Sequence, residues 1–319
     1  MVNEEKRLSN ALKSIARNQE IKAYLQNSKE LFTLLMKGAN RFVAGTTRTE
    51  GIERATYLYN KGYQISLEFI GENTTSEHEC KSAKKEFEEL IKELGANQIK
   101  GTVSFDLSHI GMMITDSLAY SHLEELARVA QENEIQLMIS MEESQKTNKI
   151  LSIYRDISRL YANVGITLQV HLNRSLTDLK ELLQMPGRIR LVKGAYQEPE
   201  GIFIPRSEEL NKRYIEFVSM CVESDHPLSI ATHDENLLLD LNAKGYLQSQ
   251  NVEVEMLDGV RSDLLKTLKE DDIPSKVYVT YGTEWYLYLV HRISEYPPNV
   301  YTLISDILEQ GDVQRHLFY

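Results

Sequence analysis

The sequence predicts a closed (βα)8 barrel carrying N-terminal helices, on three observations. Short β-branched or apolar runs recur about eight times, each is followed by helix-like sequence, and no Pro/Gly/Ser-rich linker divides the chain. Strand-then-helix alternation implies a parallel sheet, because parallel neighbours need a crossover connection. Eight such units are the number that closes into a barrel, and 319 residues can hold one. The early Gly-x-Gly-x-x-Gly turn of the doubly wound dinucleotide fold is absent.

Taken in order, residues 4 to 60 read as a helical N-terminal region and residues 61 to 319 as the barrel. The strand runs are Tyr63 to Ile70, Gln98 to Phe105, Ile135 to Ser140, Val164 to Val170, Ile189 to Lys193, Pro227 to Thr232, Val252 to Leu257 and Lys276 to Thr280. Between the first two, Glu77 to Leu94 sets opposite charges at i,i+3 and i,i+4 spacings, the mark of a solvated amphipathic helix rather than an interaction surface. Lys37-Gly38, Gly62, Gly95 and Gly245 read as helix stops. A last helix starts near Trp285 and stops at Pro297-Pro298. Its spacing puts Tyr288, His291, Arg292 and Glu295 on one face, either as an aromatic and cationic lid over the barrel mouth or as a surface helix with an Arg292 to Glu295 pair.

A formal net charge of -11 argues against a nucleic-acid surface. Cys80 and Cys221 stand far apart without CxxC spacing, which excludes a disulfide framework and fits a reducing compartment. The N-terminus has no apolar signal region, and no stretch approaches the roughly 18 uninterrupted apolar residues of a membrane span. The expectation is a cytoplasmic enzyme with at most peripheral contact at the inner membrane face.

In a barrel enzyme the active site lies at the C-terminal strand ends. Those ends supply Glu68 with Glu72, Asp106, Ser140 to Glu143, Gln169, Arg190 with Lys193, Thr232-His233-Asp234, Leu257-Asp258 and Tyr278. Arg190 and Lys193 end a buried strand, where cations call for an anion or an electron-rich ring nearby, although two solvated loop cations would read the same way. Singly, His233 reads as a hydrogen-bonded structural histidine, and Glu142 and Glu143 as an exposed acidic turn. His233 with scattered acids does not make a metal site, and no Gly-x-Ser-x-Gly elbow points to nucleophilic hydrolysis. Lys193 could instead form a Schiff base, which keeps a lyase in view.

In combination the motifs resemble the monofunctional bacterial proline dehydrogenases, over roughly residues 30 to 310. They are Arg41-Phe-Val-Ala-Gly45, Ser66-Leu-Glu-Phe-Ile-Gly-Glu72, Gly165-Ile-Thr-Leu-Gln169, Arg190-Leu-Val-Lys-Gly-Ala-Tyr-Gln-Glu-Pro199, Ala231-Thr-His-Asp234, Leu257-Asp-Gly-Val-Arg261, and Trp285 through Pro297. The resemblance implies a distorted (βα)8 TIM barrel holding non-covalent FAD, with hydride passing from the carbon beside a substrate amine to flavin N5. It implies cofactor contacts from Met141, Gln169, Arg190, Lys193, Gly194, Ala195, Thr232 and His233. Arg190, Ser140 and Tyr278 become the catalytic candidates, and a quinone or another electron acceptor becomes the partner.

The implied substrate residues are Asp106, Leu257, Tyr278, Tyr288, His291, Arg292 and Glu295, and several depart from the family pattern. Asp106 stands where the family has Lys, Ser140 where it has Asp, His291 where it has Arg, and Asp258 where it has Tyr or His. Each charge-assisted hydrogen bond to a carboxylate contributes about 1.5 to 3 kcal/mol. Losing two cations and gaining an acid is therefore expected to weaken proline binding, with Asp258 lowering the mouth's charge further. The expected substrate is a proline-like or modified cyclic or secondary amine, with Asp106 pairing a cationic group. Genuine L-proline oxidation through a rearranged clamp is the alternative, and a non-catalytic flavin-binding barrel is a third.

Overall fold

The structure, a computed structural model, describes residues 28–295 and 299–308 together with isolated positions at 4, 7, 11, 20, 24 and 319. Eight parallel strands close into a barrel in sequence order: β1 (Gln64–Phe69), β2 (Gly101–Phe105), β3 (Gln136–Ile139), β4 (Val164–Gln169), β5 (Ile189–Val192), β6 (Leu228–Ala231), β7 (Val252–Leu257) and β8 (Ser275–Tyr281). Closure is made by β1 pairing β8, with Ser66 opposite Tyr278 and Glu68 opposite Thr280. All eight strands fall on the runs that the sequence predicts.

The helices that precede and cover the strands are α1 (Lys29–Ala39), α2 (Arg48–Asn60), α3 (Glu77–Ala96), α4 (Asp116–Glu132), α5 (Thr147–Ser158), α6 (Ser175–Leu182), α7 (Glu208–Glu223), α8 (Glu235–Ala243), α9 (Ser262–Glu270), α10 (Trp285–Glu295) and α11 (Asn299–Leu308). Several start on side-chain caps, which satisfy otherwise orphaned amides: Thr47, Ser76, Thr115, Ser207 and Asp234 each accept a backbone N–H of the first turn. On α3 the buried face is Cys80, Ala83, Phe87, Leu90, Ile91 and Leu94. Its outer face carries Lys81–Glu77 and Lys92–Glu88 pairs, the expected solvated face.

Side chains alternate across a strand, and here the outward set is aliphatic while the inward set is largely polar. On β7, Val252, Val254 and Met256 join the main core. The intervening Glu253 and Glu255 are buried as well. Barrel interiors are usually filled by branched aliphatic layers, but this one is held by ion pairs. Near the N-terminal strand ends, Lys276 Nζ lies 2.5 Å from Glu253 and 3.1 Å from the Thr102 hydroxyl. Ser229 donates to the same carboxylate. Despite the cost of burial, Lys276 and Arg188 hold Glu253 below the usual carboxylate range.

Helix α2 packs on β1 and β8 through Ile52, Ala55 and Leu58. From it Arg54 reaches Asp258 with two bonds of 2.8 and 2.7 Å. The Tyr319 ring lies 5.4 Å from the Arg54 guanidinium. Beside Asp258, Gly259 (φ 75°) brings its backbone so close to α1's end that a Cβ there would stand 2.0 Å from the Arg41 carbonyl oxygen. A second core joins Ala39, Phe42, Val43, Ile70, Trp285, Leu289, Ile293 and Leu303. It seats α10 at the barrel mouth, with Trp285 edge-on to Phe32 at 5.4 Å.

Candidate active site

One cavity of about 1560 Å³ opens at the C-terminal ends of the strands. Pockets for drug-sized ligands span roughly 300 to 1,000 Å³, so this one has room for a large cofactor and a small substrate together. Its wall gathers Asp106, Ser140, Met141, Gln169, Arg190, Lys193, Gly194, Ala195, Thr232, His233, Leu257, Tyr278, Tyr288 and Arg292. Every sequence-predicted site residue whose side chain is described is therefore on one surface. The side chains of His291 and Glu295 lie outside the described residues; their backbones belong to α10.

Arg190 forms the floor. Its Nε and Nη2 donate to the two Glu255 oxygens at 3.0 Å each, Nη2 also to Ser104 at 2.7 Å, and Nη1 to Thr167 at 3.4 Å. The guanidinium stacks on the Tyr278 ring at 4.9 Å. Tyr278 in turn donates its hydroxyl hydrogen to Glu68 in a very short bond. Burial pushes Glu68 up to about 7, against the pull of the Tyr278 hydroxyl and of Arg190 and Arg292. Burial, then the Glu68 charge, raises Tyr278 well above its ordinary value, so the phenol stays protonated.

Three polar groups on the cavity wall have their hydrogen-bonding roles fixed by their neighbours. The Gln169 amide nitrogen donates to the Glu142 carbonyl at 2.7 Å, and a carbonyl can only accept. Its Oε1, buried and without a partner, is thus left as an acceptor. His233 Nε2 accepts the Leu257 N–H at 3.0 Å, which puts the ring hydrogen on Nδ1. Burial, then Arg292 and Arg261, lower His233 to about 3, so it is a neutral donor. Lys193 Nζ is held by Asp234 and Asn211 at 2.6 Å each. At Gly194 (φ 108°) a Cβ would stand 1.3 Å from His171 Nδ1, so only glycine lets the chain pass there. A ring with carbonyl acceptors and an N–H donor, trailing a phosphate-bearing tail, fits this set: a free acceptor at Gln169, a cation at Arg190, and donors at His233 and Lys193.

On the substrate side, Asp106 is 9% exposed and its carboxyl makes no hydrogen bond or ion pair among the described residues. Burial, followed by the Glu142, Glu68 and Glu72 carboxyls, raises it well above the usual carboxylate range, with Lys146 opposing. The Asp106 carboxyl is thus biased toward its uncharged form. Arg292 lies 4.9 Å over the Tyr288 ring on α10. Ser140 and Met141 come from the turn after β3, whose backbone joins β2 through Ser140 N–H to the Phe105 carbonyl at 3.0 Å.

Two sequence expectations are corrected, and a third is qualified. Glu142 is not an exposed turn residue; it is fully buried, accepting from Ser108 N–H at 3.0 Å and Lys146 at 2.6 Å. Asp258 does not lower the charge of the mouth, because it is outside the cavity wall and neutralised by Arg54. At Asp106, burial and the neighbouring Glu142, Glu68 and Glu72 carboxyls push the carboxyl toward its uncharged form, against the negative charge expected there. Sequence reasoning also missed Glu255. Its signal was available: two glutamates spaced by two on a strand with no exposed face.

The description that matches the chain is that of proline dehydrogenase, over residues 51–300. The curated relatives include proline dehydrogenase 1 of Bacillus subtilis (strain 168), 29% identical over 276 residues, covering 86% of this chain and 91% of that one. Proline dehydrogenase 2 of the same strain is 26% identical over 265 residues, covering 82% and 88%. The proline dehydrogenase of Deinococcus radiodurans is 29% identical over 281 residues, covering 85% and 90%. Among solved structures, proline utilization A from Bdellovibrio bacteriovorus, inactivated by N-propargylglycine, superposes with a TM-score of 0.75 at 20% identity. That match covers 90% of this chain and 36% of the longer one, and it shows a shared fold.

Proposed function

The chain belongs to the proline dehydrogenase family, and from that membership we propose that it oxidises L-proline to pyrroline-5-carboxylate, using FAD. The observation that carries the reading is the single cavity in which the Arg190, Lys193, Gln169 and His233 track meets Tyr278, Tyr288 and Arg292. Bound FAD supplies the hydride acceptor. Gln169 Oε1 and the His233 Nδ1 hydrogen orient it, Arg190 offers a fixed cation to a ring that becomes electron-rich on reduction, and Lys193 serves its tail. Tyr278, stacked on Arg190 and bonded to Glu68, forms the substrate wall. Arg292 holds the proline carboxylate.

Hydride leaves a carbon beside nitrogen only when that nitrogen has a free lone pair, so the substrate ammonium must first lose its proton. Glu68, pushed to about 7 on the cavity wall, is the acceptor matched to that task.

The expectation of a modified amine rested on a charge count in which Asp258 is now paired with Arg54 and Asp106 is biased toward its uncharged form. Both effects weaken the acidic opposition to Arg292 and support its holding a free amino-acid carboxylate. The curated relatives are proline dehydrogenases, which favours the L-proline alternative. A Schiff-base lyase is disfavoured because Lys193 Nζ is tied to Asp234 and Asn211 at 2.6 Å each and the curated relatives are dehydrogenases.

The membrane-peripheral and quinone expectations stay part of this proposal; among the described residues no helix is long and apolar enough to cross a membrane. The reading is tested by turnover of L-proline with a soluble artificial acceptor, expecting a product two hydrogens lighter. Holoenzyme that leaves L-proline unchanged would overturn it.

A further inference from the structure

Glu255 and Arg190 come from strands that are not neighbours: β6 lies between β5 and β7, and the β6 residue in register with Glu255 is Ala231. That small side chain, with Ser229 two positions earlier, leaves the space across which the two ions meet. Their side chains are 2% and 5% exposed. A guanidinium has five N–H groups. Glu255 takes two of Arg190's, Ser104 one that Nη2 shares with Ser66, and Thr167 one, which leaves a single Nη1 hydrogen for anything bound above the floor.

We propose that Glu255 is a positioning residue for Arg190, and that its charge lowers the reduction potential of the bound flavin. The inference rests on the FAD reading given above. A fixed cation beside a ring that gains negative charge on reduction favours reduction. A carboxylate gripping that cation through both oxygens offsets much of its field, and does so strongly because the pair is out of water. Satisfying a buried guanidinium would need only neutral acceptors, such as Ser104 and Thr167 already provide. The full charge at Glu255 instead sets how electron-poor the floor is. The consequence is a flavin that proline reduces less readily but that passes its electrons onward more readily.

The test compares midpoint potentials of FAD-loaded parent, E255Q and E255D proteins, equilibrated anaerobically with a reference dye. E255Q is expected to shift the reduction equilibrium at least tenfold toward reduced flavin, about 30 mV for a two-electron couple. E255D, which keeps the charge, should stay nearer the parent. The R190Q/E255Q double variant leaves no buried charge and so bypasses any failure of E255Q to fold. Its potential should lie close to the parent's, whereas R190Q alone should fall by tenfold or more in the same equilibrium. An E255Q protein with the parent's potential, or a double variant as low as R190Q, overturns the inference alone. A parent protein that takes up no FAD overturns the functional reading and this inference with it.

Discussion

Glu68→Gln tests the electrostatics of the barrel mouth. Glu68 is raised by burial from 4.5 to about 7. A carboxyl raised on folding contributes stability that is fully present below its unfolded value and is lost as pH rises through the folded one. The interval from 4.5 to about 7, at about 1.4 kcal/mol per pH unit, is worth roughly 3 kcal/mol. That figure is an upper limit, because Glu68 borders the open cavity and because Asp106, which it raises, relaxes when the charge is removed. Glutamine keeps the size and can still accept from the Tyr278 hydroxyl, but it does not titrate. The assay is urea unfolding of both proteins from about pH 5 to about pH 9, taking their difference at each pH so that other titrating groups cancel. The difference should move by up to roughly 3 kcal/mol in favour of the variant as pH rises through 7. A difference flat across the range would refute the placement of Glu68 as a part-buried ionisable wall residue.

Asp106→Asn should leave the KM for L-proline within about threefold at neutral pH, because burial and neighbouring carboxyls favour the uncharged form of the parent side chain. Asp106→Lys, which restores the family's cation, should lower that KM by about tenfold or more, the worth of one charge-assisted hydrogen bond; steady-state kinetics decide both, and a large effect of the Asn variant would show Asp106 to be ionised. Lys276→Met leaves Glu253 buried without its ammonium and should destabilise the barrel by about 3 to 5 kcal/mol. Adding Glu253→Gln should recover most of that in denaturant melts, and a double variant as unstable as the single one would contradict the pairing.

The barrel was legible because its signals are local. Each strand is a short aliphatic run, and the outward residues Val252, Val254 and Met256 show how such a run survives with charges between them. Strand limits were less legible: Gln98, read as strand, has φ 57° and turns the chain ahead of Gly101. The residues singled out by motif, Arg190, Lys193, Thr232, His233 and Tyr278, line one cavity, so their proximity was legible. The site's charge state was not. Arg54 and Asp258 are 204 positions apart, and only closure of β8 onto β1, with α2 packed outside, brings them together. Whether Asp106 is ionised depends on Glu142, Glu68 and Glu72 arriving from two other strand ends, a convergence that no spacing within one segment reports. Glu142 looked like a turn residue because its buried partners, Ser108 and Lys146, come from different loops.

The most direct test of the account is anaerobic mixing of the FAD-loaded protein with L-proline, followed by the flavin's visible absorbance. The account predicts full bleaching at saturating L-proline, with one cyclic imine formed for each flavin reduced. A flavin that stays oxidised in L-proline but bleaches with proline esters or amides would contradict it, and would return the substrate to an amine whose carboxylate is masked.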